Sequence, residues 1–179
     1  YNNPEELRVN DQNNIGYQYT DCPLYWISVI YLNFAEAKAE MGSLMQSDLD
    51  NTINLLQKRA GLPAMTTTPD ADPANNMGVS NLIWEIRRCR RCELIMDNWY
   101  RYWDLIRWHQ LDKLDSTKYP NIMLGANVSN VPNCEEATKN GYIDASDAQI
   151  RTYEARQYLY PIPTTQLTLN KNMKQNPGW

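Results

Sequence analysis

Two cysteines three positions apart, Cys89 and Cys92, have the type and spacing that could most directly do chemistry. A redox pair of this spacing opens a helix directly after a strand, where the helix dipole lowers a thiol pKa. Here the pair falls inside a predicted helix, where its two side chains are badly directed for a mutual disulfide. A zinc site would need Cys22, Cys134 or His109, and their spacing does not indicate one. We predict buried, inert thiols, and a disulfide between Cys22 and Cys134 stays open.

Arginines and carboxylates are interleaved along the same predicted helix. Its charged residues are Glu85, Arg87, Arg88, Arg90, Arg91, Glu93 and Asp97. The arginines could clamp an anion, but charges three or four apart on a helix pair with each other. An arginine that faces a core must also be paired. Asp104 and Arg107 repeat the spacing on the next predicted helix, so the pattern favours a structural ion-pair lattice.

Two carboxylate pairs have a spacing that could serve acid–base catalysis, Glu36 with Glu40 and Asp97 with Asp104. Each pair would lie on one helix face, whereas acid–base catalysis needs both carboxylates in one pocket. The sequence contains no nucleophile elbow, phosphate-binding glycine loop or metal-binding histidine pair, and it has 7 Gly and 1 His. We predict that the protein is not an enzyme and that it uses no metal and no cofactor.

The aromatic residues are of an unusual kind, with 6 Trp and 12 Tyr against 1 Phe. Rings with a polar group suit surfaces that meet water, ligands or partners. A cluster of them follows the arginine-rich helix: Trp99, Tyr100, Tyr102, Trp103 and Trp108. Such rings can form a platform for sugars or peptide side chains, but their helical spacing favours a core seam or a subdomain interface.

The composition describes a folded acidic chain. With 179 residues, 42% hydrophobic residues and a net charge of −4, it can form one domain or a large piece of a bigger protein. The acidic balance argues against nucleic-acid binding. The longest mostly apolar run, 24–35, is too short to span a bilayer. We read the chain as a fragment whose export signal or lipid anchor would lie upstream.

Helices are predicted for 21–114, after an irregular opening over 1–20. A first helix begins at Pro23 and ends at Gly42, and its apolar stripe is Leu24, Ile27, Tyr31, Phe34 and Met41. A second begins at Ser47, with Asp50 as its capping partner, and ends before Gly61. Its apolar positions are Leu49, Ile53, Leu56 and Ala60. The pair should form an antiparallel hairpin.

The rest of the chain alternates breakers and helices. Residues 63–79 are a loop rich in Pro, Asp and Asn, after which Ser80 caps a helix to about Asp97. Helix continues from Trp99 to Leu114. Residues 115–157 lose the helical period, and a long irregular loop is usually functional. We predict that 115–157 form a variable contact surface, and that 158–179 are extended.

Four segments in order resemble the SusD/RagB family of Bacteroidetes surface lipoproteins. They are Tyr31–Gly42 (like LLNYAEAKAELG), Ile53–Pro63 (like IN…RAGLP), Arg90–Trp108 (like ERRxEL…RxxDLxRW), and Tyr160–Pro163 with Gln175–Trp179 (like PIP…QNPGY/W). The shared motif residues to which the resemblance gives a structural role are Glu36, Arg59, Arg90, Arg91, Glu93, Asp104, Arg107 and Trp108. The resemblance assigns no ligand-binding residue.

The resemblance implies a mainly α, SusD-like fold: a helical hairpin, further helices and long irregular loops. They would complete a tetratricopeptide-containing α fold whose N-terminal part is absent, so that 1–179 is the C-terminal part. It implies a non-catalytic, lipid-anchored outer-membrane protein at the cell surface. Such proteins capture oligosaccharides, or peptides in the RagB branch, for a SusC-like TonB-dependent transporter. The rival functions are a glycan-degrading helical enzyme and a helical scaffold that binds only protein.

The sequence departs from the family pattern at three places. Trp26–Val29 stand where the family has Arg-Tyr-Ala-Glu, and Cys89 stands where it has a Glu before the paired arginines. One extra residue separates Leu94 from Asp104. The loss of two acids predicts that the arginine lattice is rewired.

Overall fold

A computed structural model describes residues 25–96, 100–131, 138–139, 141–144 and 149–179. Its helices are α1 (Ile27–Glu40), α2 (Gln46–Asp50), α3 (Ile53–Arg59), α4 (Asn81–Glu93), α5 (Tyr100–Arg107) and α6 (Thr164–Leu169). The strands are β1 (Leu124–Asn127), β2 (Thr138–Lys139) and β3 (Tyr142–Asp144). The described chain is therefore mainly helical, as predicted. The predicted irregular opening, Trp99, Asp97 and the pair Cys22 and Cys134 lie outside the described residues.

The chain divides into two compact units, Tyr1–Ile95 and Met96–Trp179. The first contains the helical hairpin and α4. The second contains α5, the sheet and the C-terminal segment. In the part of the chain that the structure describes, no helix is both long and apolar enough to cross a membrane.

The first helix differs from its prediction in its start and in the face that it buries. It begins at Ile27, and Trp26 occupies the N-cap. Three residues of the predicted stripe are exposed, with Ile27 61%, Phe34 44% and Met41 70% accessible. Tyr31 is half-buried, and Leu24 lies outside the described residues. The face with Leu32 and Ala35 is buried instead. α1 carries apolar side chains on both sides, so periodicity alone selected the wrong face.

The predicted second helix is divided into α2 and α3. Thr52 leaves helical geometry, with φ −133° and ψ −93°, so two short helices replace one. Leu49, Ile53 and Leu56 are buried as predicted, whereas Ala60 is exposed. Gly61 ends α3 in the left-handed region at φ +70°, which only glycine adopts without cost.

Helix α4, the third helix that the sequence predicts, forms the other half of the first unit's core. Ser80 caps it by accepting a hydrogen bond from the Ile83 amide at 3.3 Å, which confirms the predicted cap. α4 ends at Glu93, short of the predicted Asp97. α4 packs against α1 and α3, and the fully buried Ile86 lies in this core.

In the second unit, α5 ends where His109 adopts φ +52°. The Gln110 amide then donates to the Leu105 carbonyl at 2.7 Å, the closing bond of a Schellman-type helix end. A short 3₁₀ helix, Leu111–Leu114, follows, so the predicted continuous helix is interrupted. Within 115–157 the structure forms further 3₁₀ turns and an antiparallel sheet in the order β1-β3-β2, which the sequence did not predict.

The C-terminal segment folds back on the 3₁₀ turn at Ala155–Tyr158. The Trp179 indole N–H donates to the carbonyls of Leu159 at 2.8 Å and Arg156 at 3.2 Å. The Arg156 guanidinium lies 4.8 Å from the Trp179 ring centre. The closing Gln-Asn-Pro-Gly-Trp motif thus fastens the end of the chain to this turn. The stretch 158–179 was predicted to be wholly extended, but it contains the helix α6.

Candidate functional site

A cavity of about 300 Å³ opens in the second unit. Its lining residues come from α5, the following 3₁₀ helix and the segment 151–157: Tyr102, Leu111, Leu114, Arg151, Thr152, Tyr153 and Gln157. Two tyrosine rings and two leucines supply apolar surface, while a guanidinium, a hydroxyl and an amide supply polar groups. Pockets for small ligands combine mostly apolar walls with a few placed polar groups, and this lining has that composition.

Backbone pairing holds segment 151–157 against the turn that follows the 3₁₀ helix. The Ser116 amide donates to the Arg151 carbonyl at 2.9 Å, and the Arg151 amide donates to the Ser116 hydroxyl at 2.9 Å. The buried Asp115 carboxylate accepts a hydrogen bond from the Tyr153 amide at 3.4 Å. Hydroxyl and amide donors from Thr117 keep the pKa of Asp115 below its usual value. Main chain thus fixes where Arg151 and Tyr153 enter the cavity.

Tyrosine hydroxyls hold the rings of the cavity in place. Tyr158 accepts a hydrogen bond from the Leu111 amide at 3.0 Å and meets Tyr153 edge to face at 5.8 Å between ring centres. Burial, followed by a hydrogen bond with Tyr158, raises the pKa of Tyr153 to about 12. A hydrogen bond with Tyr160 raises the pKa of Tyr102. Both cavity phenols are therefore neutral at physiological pH and offer uncharged ring faces.

A larger cavity, about 650 Å³, lies in the first unit beneath the loop 62–73. Its charged lining residues are Asp70, Asp72, Glu85 and Arg88, and none of the described aromatic residues lines it. Arg88 pairs with Glu85, and hydrogen bonds lower the pKa of Asp72. This cavity offers no stacking surface, so the smaller cavity of the second unit is the better candidate for ligand binding.

Arginines of α4 meet polar and acidic side chains of α1 within the first unit, among them the motif residues Arg90 and Glu36. Arg87 lies 2.8 Å from Glu40 and 3.4 Å from the buried Glu36. Arg90, also buried, donates to the Asn33 side chain at 2.8 Å. An amide oxygen thus accepts a hydrogen bond from the arginine that follows Cys89.

The other motif residues of the first unit lie nearer its surface. Arg59 donates to the Glu93 carboxylate at 2.6 Å, so Glu93 serves a different helix from its own. Arg91 is exposed on α4.

The motif residues of α5 form a pair beside an indole. Arg107 donates to the buried Asp104 carboxylate at 2.9 Å. Its guanidinium also lies 4.7 Å from the ring centre of the buried Trp108, at cation–π distance. Trp103 is exposed, and Tyr102 alone of the described aromatic cluster lines the cavity.

The two described cysteines carry free thiols. Burial raises the pKa of Cys89 to about 12, which fits the predicted inert thiol. Cys92 is exposed, so the prediction that both thiols are buried was wrong for this residue. Among the described residues, no cluster of three or more His, Cys, Asp and Glu could hold a metal ion.

The comparison with known proteins decides the family. The SusD family profile matches residues 5–179. The chain belongs to the SusD family. No curated protein matches the chain.

Solved SusD-like structures share the fold. A crystal structure of a SusD-like protein (BF3747) from Bacteroides fragilis NCTC 9343 is 27% identical, with a TM-score of 0.57 over 85% of this chain and 25% of that chain. A protein named BT4246 is 28% identical, with a TM-score of 0.56 over 87% of this chain and 23% of that one. Its selenomethionine form is 30% identical, with a TM-score of 0.56 over 90% of this chain and 25% of that one. The chain spans about a quarter of the length of these relatives. The predicted family and the mainly helical fold are confirmed.

The sequence pointed to only part of the cavity. Tyr102 was in the predicted aromatic cluster, and Arg151 to Gln157 fall inside the stretch predicted as a contact surface. Leu111 and Leu114 gave no signal of a site. A pocket assembled from segments about fifty residues apart has no local spacing that could reveal it.

Proposed function

We propose that this SusD family protein is a non-catalytic nutrient-binding subunit that captures glycans at the cavity of its second unit. The observation that carries the proposal is the pairing of Tyr102 and Tyr153 with Arg151 and Gln157 around one cavity. Neutral tyrosine rings stack on the apolar faces of sugars, while guanidinium and amide groups bind hydroxyls. The family supports nutrient binding in general, and the aromatic lining supports glycan as the nutrient.

The cavity's size favours capture that is easily reversed. A volume of about 300 Å³ is at the lower end of small-molecule sites and would enclose only a short part of a polymer. Few enclosed contacts give modest affinity. Such affinity suits a protein that must release its ligand to a SusC-like TonB-dependent transporter, which we propose as its partner.

We place the protein at the outer-membrane surface, lipid-anchored through an N-terminal part that precedes this sequence. The relatives are about four times as long. The exposed face of α1, with Ile27, Ile30 and Phe34, supports the packing of this N-terminal part on the helix. A helix with apolar residues on both sides is normally buried on both. Hydrogen exchange in α1 should therefore be slower in the full-length protein than in residues 1–179 alone.

The glycan proposal is tested by titrating the full-length protein and two variants of one ring with oligosaccharides. Tyr153→Phe keeps the stacking ring and should bind like the parent, whereas Tyr153→Ala should bind roughly ten-fold or more weakly. Tyr25→Ala is the matched control, because Tyr25 is exposed in the first unit and away from the cavity lining. Equal affinity of Tyr153→Ala and Tyr25→Ala would remove the cavity from the proposal.

A peptide ligand, as in the RagB branch, is the second candidate. The observation that favours it is Arg151 beside Leu111 and Leu114, because a guanidinium and an apolar wall can take a C-terminal carboxylate and its side chain. Heat with oligopeptides and none with glycans would favour this function. Turnover of a glycan by pure protein would favour an enzyme. A response to protein partners alone would favour a scaffold.

A further inference from the structure

Arg151 is an exposed residue of the cavity lining, and its backbone is fixed. Its amide and carbonyl are both bonded to Ser116, so the residue cannot move away as a whole. Within the described ranges, no carboxylate lies at ion-pair distance from its guanidinium. Among the described residues, this exposed cation of the cavity lining therefore has no carboxylate partner.

Several other described arginines are held by carboxylates. Arg59 pairs with Glu93, Arg107 with Asp104 and Arg156 with Glu154. Those guanidiniums are engaged within the fold. Arg151 differs from them because its five N–H donors remain available to a ligand, in a geometry that suits the two oxygens of a carboxylate.

The other charges near the cavity do not cancel the attraction of Arg151 for a carboxylate. In the part of the chain that the structure describes, no acidic side chain lines the cavity. Asp115 lies close by, but its carboxylate is engaged by Thr117 and by the Tyr153 amide. Asp112 also acts on Tyr153, while Lys113 and Lys118 follow in the same turn. The 3₁₀ helix and turn are thus neutral in sum, which leaves Arg151 as the charged residue among the described residues that line the cavity.

We propose that the cavity selects acidic sugars, with Arg151 binding the carboxylate of a uronic acid residue while Tyr102 and Tyr153 contact its ring. The proposal rests on the proposed glycan-binding function and names its substrate class. Thr152 and Gln157 would serve the hydroxyls of the same residue. Among the described residues, no carboxylate lines the cavity. This favours a uronic acid over a peptide, because no described lining residue would pair with the ammonium groups that peptides also carry.

The test compares an acidic glycan with its neutral counterpart on the full-length protein. The probes are oligogalacturonate, alginate and glucuronan oligosaccharides, each beside its carboxyl-reduced form. The acidic member of at least one pair should bind the parent roughly ten-fold to a hundred-fold more tightly, as expected for a charge-assisted hydrogen-bond pair. Arg151→Gln should abolish this preference, and Arg151→Lys should retain part of it.

Arg91→Gln is the matched control, since Arg91 is an exposed arginine of the first unit and its loss changes the net charge equally. It should leave the preference unchanged. If neutral and reduced glycans bind as tightly as acidic ones, or Arg151→Gln behaves like Arg91→Gln, the acidic-sugar proposal is overturned while the glycan function stands. If no glycan binds and oligopeptides do, both fall.

Discussion

Replacement of Asn54 by leucine should destabilise the first unit strongly, although the two side chains are similar in size. The Asn54 amide is buried and holds the loop 62–73 through one residue. Its oxygen accepts from the Met65 amide at 2.7 Å, and its nitrogen donates to the Met65 carbonyl at 3.1 Å. Its nitrogen also donates to the Asp50 carboxylate at 2.7 Å. Leucine can replace none of these bonds.

The cost follows from what each partner loses. The Met65 amide is left buried without an acceptor, which costs about 1–3 kcal/mol. The Met65 carbonyl keeps its hydrogen bond from Gln46 at 3.0 Å. Loss of its other hydrogen bond, from Asn54, therefore costs about 0.5–1.5 kcal/mol. The free energy of unfolding should therefore fall by about 2–4 kcal/mol for Asn54→Leu.

Urea denaturation followed by tryptophan fluorescence measures this change. Asn51→Leu is the matched control, since Asn51 is exposed and its amide only donates to the Ser47 carbonyl. That substitution should change stability by no more than about 0.5 kcal/mol. Asn54→Asp retains the acceptor but places a carboxylate against Asp50, so it should lose stability at neutral pH and recover part of it on acidification. Equal stability of Asn54→Leu and Asn51→Leu would refute the reasoning.

Three further predictions concern acidity, backbone strain and thiol reactivity. The pKa of Asp115 is lowered in the folded protein. The ionised carboxylate therefore stabilises the fold fully above the pKa of an unfolded Asp, about 4, and this stabilisation is lost as the pH falls through the lower pKa of the folded state. Urea midpoints should fall below about pH 4, less steeply in Asp115→Asn; a rise on acidification would contradict this. His109→Gly should be about 1 kcal/mol more stable than His109→Ala, because both lose the ring and only alanine resists φ +52°; equal unfolding free energies would count against it. Maleimide should label Cys92 in the native protein before Cys89, whose pKa is raised to about 12, and mass spectrometry after partial labelling would show the reverse order if burial is misassigned.

The parts of the fold that the sequence predicted well are those with local causes. Ser80 caps α4 and Gly61 ends α3 because each acts on residues within one turn. The four shared motifs identified the family because their order and spacing extend over most of the chain. The face of α1 was mispredicted because burial is decided by α4 and α3, which lie far along the sequence.

The site could be predicted only as a region. The three strands have two to four residues each, too short for an alternating pattern to emerge. The cavity depends on the pairing of Ser116 with Arg151, which combines one backbone hydrogen bond with one to the Ser116 hydroxyl. Neither residue type signals this long-range contact. A long irregular stretch could indicate function, but not which of its side chains would line a pocket.

The most direct test of the account is calorimetric titration of the full-length protein with a panel of polysaccharides and oligopeptides, repeated with Tyr153→Ala. Heat with at least one glycan class, reduced in the variant, is the predicted result. Heat with peptides alone, or glycan binding that Tyr153→Ala leaves unchanged, would contradict the claim that this cavity captures glycans.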